Sequence, residues 1–147
     1  MIRVVIVGKQ QLLNELIAEL LTRELQAECS VHEGLSLDAR FLEYGGHGDG
    51  TKSSGGSGRA GDPGNTVPRS LVLLDTAGME LHKIVDELDH RYLKYVDRNL
   101  FALFNVSPGT GLEQSAVEHG ASGFFYIQDS AEVLVKGVRM LLSGQLW

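Results

Sequence analysis

Leu71-Val72-Leu73-Leu74-Asp75 reads as a strand buried on both faces, because four successive apolar residues leave no side to turn toward water, and it stops at a carboxylate. The start of the chain repeats that signature: Ile2–Val7 is rich in β-branched residues and is predicted to be a second covered strand. Ala27, Cys29 and Val31 alternate with polar residues, as a half-exposed strand does. Leu100–Phe104 and Gly123–Ile127 supply two more. Five strands separated by helical patterns imply parallel pairing through right-handed crossovers. The expected fold is therefore a three-layer α/β/α sandwich of the flavodoxin-like kind, with a five-stranded parallel sheet in the order 2-1-3-4-5. In that topology the carboxyl ends of strands one, three and four converge on one crevice, and chemistry belongs there. The positions to inspect are Gly8, Lys9, Gln10, Asp75, Thr76, Asn105 and Val106.

The helices carry the complementary stripes. Leu12, Leu13, Leu16, Ile17, Leu20, Leu21 and Leu25 recur at three and four, a wide apolar face expected to pack on the sheet. A second long helix is predicted from Leu81, Ile84, Val85, Leu88, Tyr92 and Val96, with Glu87 and Arg91 paired outside. Leu112–His119 is a short helix ended by Gly120. In the last helix Asp129 stands at the N-cap with Glu132 three residues on, as in a capping box, and Ala131, Leu134, Val138 and Leu141 form the inner stripe. Only Leu35–Tyr44 is left for the helix between strands two and three, so it is expected to be short or displaced.

Composition sets outer limits. At 147 residues, 43% hydrophobic and 22% charged, residues 1–147 form one domain with a core of its own. Nine of the eighteen glycines fall within Gly45–Gly64, and Ala60 is the only hydrophobic residue from Gly45 to Thr66. Such a segment cannot offset its ordering entropy, so residues 45–67 are read as a flexible insert. Thirteen basic against nineteen acidic residues leave a net charge of −6, the wrong sign for a domain that holds DNA by bulk electrostatics. One cysteine, Cys29, excludes an internal disulfide framework and fits a reducing, cytoplasmic setting. No run approaches the ~18 apolar residues of a membrane span.

With these elements in place, the chain resembles the receiver domain of response regulators almost end to end, Leu71–Asp75 looking like the strand that ends in the phospho-accepting aspartate. The resemblance implies a site in which Mg²⁺, held by several acids and water, carries a phosphoryl group to that aspartate. This chain departs from the pattern. Gly8, Lys9 and Gln10 stand where the family places its acidic pair, Asn105 where it places a hydroxyl, and Ile127 where it places a lysine. No catalytic role is therefore assigned, although Asp75 occupies the acceptor position. Two arrangements of that aspartate are open: the Lys9 ammonium approaches it in the place of a metal, or Lys9 faces solvent and Asp75 caps the turn before Gly78.

A narrower resemblance lies at the C-terminal end. Gly123-Phe124-Phe125-Tyr126-Ile127, Val135-Lys136-Gly137 and Trp147, together with Asn105, are similar to the biofilm-matrix regulators of the LuxR/FixJ superfamily, the CsgD/VpsT type. These carry a degenerate receiver followed by a helix-turn-helix DNA-binding domain. In one branch an aromatic-[Leu/Phe/Met]-[Thr/Ser]-Arg motif after the last receiver helix binds cyclic di-GMP. Trp147 matches the first motif position, and the sequence given stops there. The resemblance implies Trp147 as the ligand-binding residue of the intact protein, which would be a homodimer reaching DNA only through a C-terminal domain. A purine stacks on an indole face and an Arg fork grips guanine or phosphate, so this chain without the Arg is expected to bind weakly.

Other candidates are weaker. His82, Asp86 and His90 recur at four-residue spacing, which suits a metal, yet Lys83, Glu87, Asp89 and Lys94 make the helix surface charged throughout and favour a solvated stripe. Cys29 reads as a small core residue. The glycines of the insert follow no strand and open no helix, so they cradle no phosphate. The expected function is a dimerising, signal-receiving domain of a transcription regulator, not an enzyme and not activated by phosphorylation. The alternatives are a conventional phospho-accepting receiver at Asp75, a protein-interaction scaffold using the fourth and fifth helices, and a flavin-binding carrier. Gly8-Lys9-Gln10-Gln11 is a poor phosphate loop for the last of these.

Overall fold

The computed structural model describes residues 2–33, 70–87 and 99–147. Nine elements are described in chain order: β1 (Arg3–Val7), α1 (Gln11–Leu25), β2 (Glu28–His32), β3 (Leu71–Asp75), α2 (Leu81–Glu87), β4 (Leu100–Val106), α3 (Leu112–Glu118), β5 (Gly123–Tyr126) and α4 (Ala131–Leu142). The strands form one parallel sheet in the order β2-β1-β3-β4-β5, as the alternation requires. The expected helix in Leu35–Tyr44, the insert at 45–67, and the residues from Leu88 to Val96, His90 and Arg91 among them, lie outside the described residues.

Successive residues of a strand face opposite sides of a sheet, and both sides here are apolar. Val5, Val7, Val72, Leu74, Phe101 and Leu103 meet Ile84 of α2 and Leu112 and Ala116 of α3. Val4, Ile6, Leu71, Leu73, Ala102 and Phe104 meet Leu21 of α1 and Leu134, Val138 and Leu141 of α4. The β1–β3–β4 centre is therefore closed to water: Val4, Val5, Ile6, Leu71, Val72, Leu73, Ala102 and Leu103 are all fully buried.

Two expectations need correction. Only part of the leucine stripe of α1 faces inward: Leu21 is buried and Ile17 and Leu25 pack with Ala18 against the α1–α4 side of the core, while Leu12, Leu13 and Leu16 are exposed and Asn14 is buried in their stead. Seven large apolar residues cover too broad an arc to fix the helix phase. At α4 the cap is Ser130, whose hydroxyl accepts from the Val133 N–H at 3.3 Å. Asp129 is used one residue earlier, accepting from the Tyr126 N–H at 2.7 Å and so closing the turn out of β5. Ala131 is exposed, and Gly137 takes a place in the inner stripe.

Candidate functional site

The loops leaving β1, β3 and β4 meet around Asp75, which is 3% exposed. Its Oδ1 accepts from the Ala77 N–H and from Asn105 Nδ2, each at 3.0 Å. The first bond is the local turn that an Asp side chain makes with the backbone two residues on. The second depends on a distortion. Between Leu103 and Val106 the β4–β5 register shifts, and Asn105 takes φ 57, a left-handed conformation that Asn tolerates better than most side chains. That conformation accompanies the turning of its carboxamide onto Asp75. Thr76 is tied to β4, its N–H and hydroxyl both donating to the Phe104 carbonyl at 3.0 Å.

Gly8 closes the other side. A Cβ at this position would stand 2.4 Å from Asp75 Cβ and 3.0 Å from both Asp75 Oδ2 and Asn14 Nδ2, so the position admits no side chain unless its neighbours move. Both polar atoms lie 3.0 Å from the same point and so share one pocket. Asn14 is wholly buried, and its Nδ2 and Oδ1, like Asp75 Oδ2, have no hydrogen-bond partner. Buried polar atoms left this way cost about 1–3 kcal/mol each. Lys9 and Gln10 are exposed. Among the described residues Asp75 is paired with Ala77 and Asn105, and no ion pair joins it to Lys9.

No family model matches the sequence, and no curated protein matches it either. Solved structures do match. The chain is similar to a LuxR family DNA-binding response regulator from Silicibacter pomeroyi, with 26% identity over 99% of this chain and 94% of that one, at a TM-score of 0.67. It is also similar to the regulatory domain of the master biofilm regulator CsgD (17% identity, 98% and 89% covered, TM-score 0.59) and to FixJ-N (15%, 100% and 98%, TM-score 0.58). This chain has the receiver fold of the LuxR-family response regulators.

The metal that receivers use does not fit this receiver's described residues. A hard cation needs several oxygen donors, whereas Asp75 has a glycine where a second carboxylate would stand, and Asn105 presents its amide nitrogen. No group of three or more His, Cys, Asp or Glu residues able to hold a metal occurs among the described residues. Of the spaced trio, His82 faces Glu80 at 3.4 Å and His90 is not described. Ile127, at the lysine position, is 62% exposed.

Trp147 lies at the opposite end of the sheet's edge. Its N–H donates to the Ser122 carbonyl at 3.1 Å and its carbonyl accepts from the Phe124 N–H at 3.3 Å, which covers the open edge at the start of β5. The indole stacks on Phe125, with centroids 6.2 Å apart and planes at 25°. Gly137 makes the room: a Cβ there would meet Phe125 Cε1 at 2.3 Å and Trp147 Cε2 at 2.7 Å. Lys136 Nζ stands 5.9 Å from the ring centroid, within cation–π range. Cys29 is half-buried, and burial pushes its thiol pKa up, opposed by a hydrogen bond with Thr22, so it is a poor nucleophile.

Two polar side chains near these sites are not legible in the sequence. Asn14 was hidden by the misjudged phase of α1, and a polar residue inside an otherwise apolar helical face was the available signal. The Tyr126 hydroxyl donates to Glu113 Oε1 at 3.2 Å. Partial burial, the Glu113 charge and that bond raise the phenol's pKa, tying β5 to the start of α3.

Proposed function

We propose that this receiver is the dimerising regulatory domain of a LuxR-type transcription regulator and that its output is not set by phosphorylation of Asp75. One observation carries the reading: a side chain at position 8 would strike Asp75 and Asn14, and with Lys9 and Gln10 beside it the site lacks the second carboxylate that magnesium-dependent phosphoryl transfer needs. That transfer is almost wholly positioning and charge neutralisation, and Asp75 alone supplies neither. The domain then works as a binding module, not an enzyme, and with a net charge of −6 it leaves DNA to a separate domain. Incubation with acetyl phosphate and Mg²⁺, followed by intact-mass measurement, is expected to leave the mass unchanged. Stoichiometric addition of one phosphoryl group, lost in Asp75→Asn, would establish the conventional receiver instead.

A finer part of the proposal concerns cyclic di-GMP. An aromatic plate with an ammonium 5.9 Å from its centre suits a purine carrying phosphate, and Trp147 occupies the first motif position of the resemblance above. In the intact protein Trp147→Ala is expected to abolish binding in calorimetry with cyclic di-GMP. Unchanged affinity would leave Trp147 solely as the anchor of α4 on Phe125.

A further inference from the structure

We propose that the cleft between α1 and α4, at the carboxyl end of β4 and β5, is a binding site for a small organic cation with an apolar body, of the arylalkyl-amine kind. In a sheet of this topology ligands collect outside the carboxyl ends of the strands. The cleft encloses about 410 Å³, within the ~300–1,000 Å³ of small-molecule sites. Its depth decides against a macromolecular occupant. Phe104 of β4 and Phe125 of β5 belong to the buried core and also line the cleft, so it runs between the two helices down to the sheet. α1 and α4 touch, which leaves no gap for a partner helix, ~10 Å across with its side chains. The walls are Leu13 and Ile17 of α1 and Leu134 of α4, and they take up the non-polar body of a ligand by removing it from water.

The polar groups of the cleft select the charge. Among the residues that line it, Asp129 alone is charged at neutral pH. Its Oδ2 accepts from the Tyr126 N–H at 2.7 Å, while its Oδ1 has no partner and the side chain no ion pair among the described residues. Asn105, from the neighbouring strand, offers a second acceptor: its Nδ2 donates to Asp75 Oδ1, which leaves its own Oδ1 without a donor among the described residues. An ammonium brings three donors and needs no acceptor, so it answers both oxygens. A carboxylate or phosphate meets one negative charge here and no positive one. The cleft is thus opposite in sign to the Trp147 plate, where Lys136 stands over the ring. Because Asn105 also holds Asp75, an occupant of the cleft reaches the Asp75 pocket through one side chain, whether or not Asp75 accepts a phosphoryl group.

Amide NMR titrations with phenethylamine and with hydrocinnamate, one phenylethyl body carrying opposite charges, test this. The amine is expected to shift the Asn105, Ile127, Ser130 and Leu134 amides saturably at millimolar concentration and to leave Leu12 and Leu16, on the exposed face of α1, unmoved. The carboxylate is expected to bind about tenfold more weakly, the worth of one charge-assisted hydrogen bond. Asp129→Asn keeps an oxygen for the Tyr126 N–H and is expected to remove that difference. Ala131→Phe, at a position that lines the cleft, is expected to abolish the amine's shifts with an unchanged circular dichroism spectrum. Equal affinity of wild type for the two probes overturns the cation site, as does an undiminished preference for the amine in Asp129→Asn. Shifts that fall equally on Leu12 and Leu16 mark adsorption to exposed leucines and overturn the cleft, and so does the lack of any saturable shift with the amine.

Discussion

The Asp75 pocket and the Trp147 seat are both built on a glycine that lets two groups come closer than a side chain would allow, yet the two neighbourhoods are opposite in kind. At Gly137 the neighbours are aromatic rings that fill the space. At Gly8 they are a carboxylate and a carboxamide, and three of their polar atoms have no partner. Close approach at the first yields dispersion and area burial. At the second it yields a buried polar pocket whose atoms find no partner among the described residues. Stability therefore explains the Trp147 seat and does not explain the Asp75 pocket.

The sharpest way to break the comparison is to overfill both sites. Gly137→Val drives carbon into Phe125 and Trp147 and is expected to cost about 3 kcal/mol, read as a lowered urea midpoint, with the emission of Trp147, the single tryptophan, shifting to the red. Gly8→Ala is expected to cost about 2 kcal/mol; if it proves neutral, the pocket has slack and the argument against a second carboxylate weakens. Asn14→Leu, of similar branched shape, is expected to stabilise the protein by about 1 kcal/mol because it removes unpaired buried polar atoms. A clear loss of stability there would mean that Asn14 is hydrogen-bonded.

The smallest effect is on pH. The Tyr126 phenol has its pKa raised in the folded state by partial burial, then by Glu113 and Asp129. A raised folded pKa means that the contribution is complete below the unfolded value near 10 and is lost as pH rises through the folded one. Thermal melts of wild type should therefore lose stability above about pH 10 slightly faster than those of Tyr126→Phe. Identical slopes would show that the bond to Glu113 contributes nothing.

Much of the sheet could be read directly. Ile2–Val7 and Leu71–Leu74 are apolar throughout because each contributes to two cores, and the strand order followed from alternation with helices. The phase of α1 could not be read, since leucines at 12, 13, 16, 20, 21 and 25 satisfy several rotations, and only packing selects the one that buries Asn14. Position in the topology was enough to bring Gly8, Asp75, Thr76 and Asn105 together at the ends of β1, β3 and β4. What each does there was not legible. The left-handed turn that aims Asn105 at Asp75, and the contact that forbids a side chain at position 8, are properties of the backbone path in three dimensions.

The account stands most directly on whether Asp75 can assemble a magnesium-dependent phosphoryl site. Amide NMR spectra recorded during titration with Mg²⁺ and then with beryllium fluoride, a phosphoryl mimic, test this without turnover. Unmoved resonances for Gly8, Thr76, Ala77 and Asn105 through millimolar additions are the expected result. Saturable shifts at those four amides, abolished in Asp75→Asn, would contradict it.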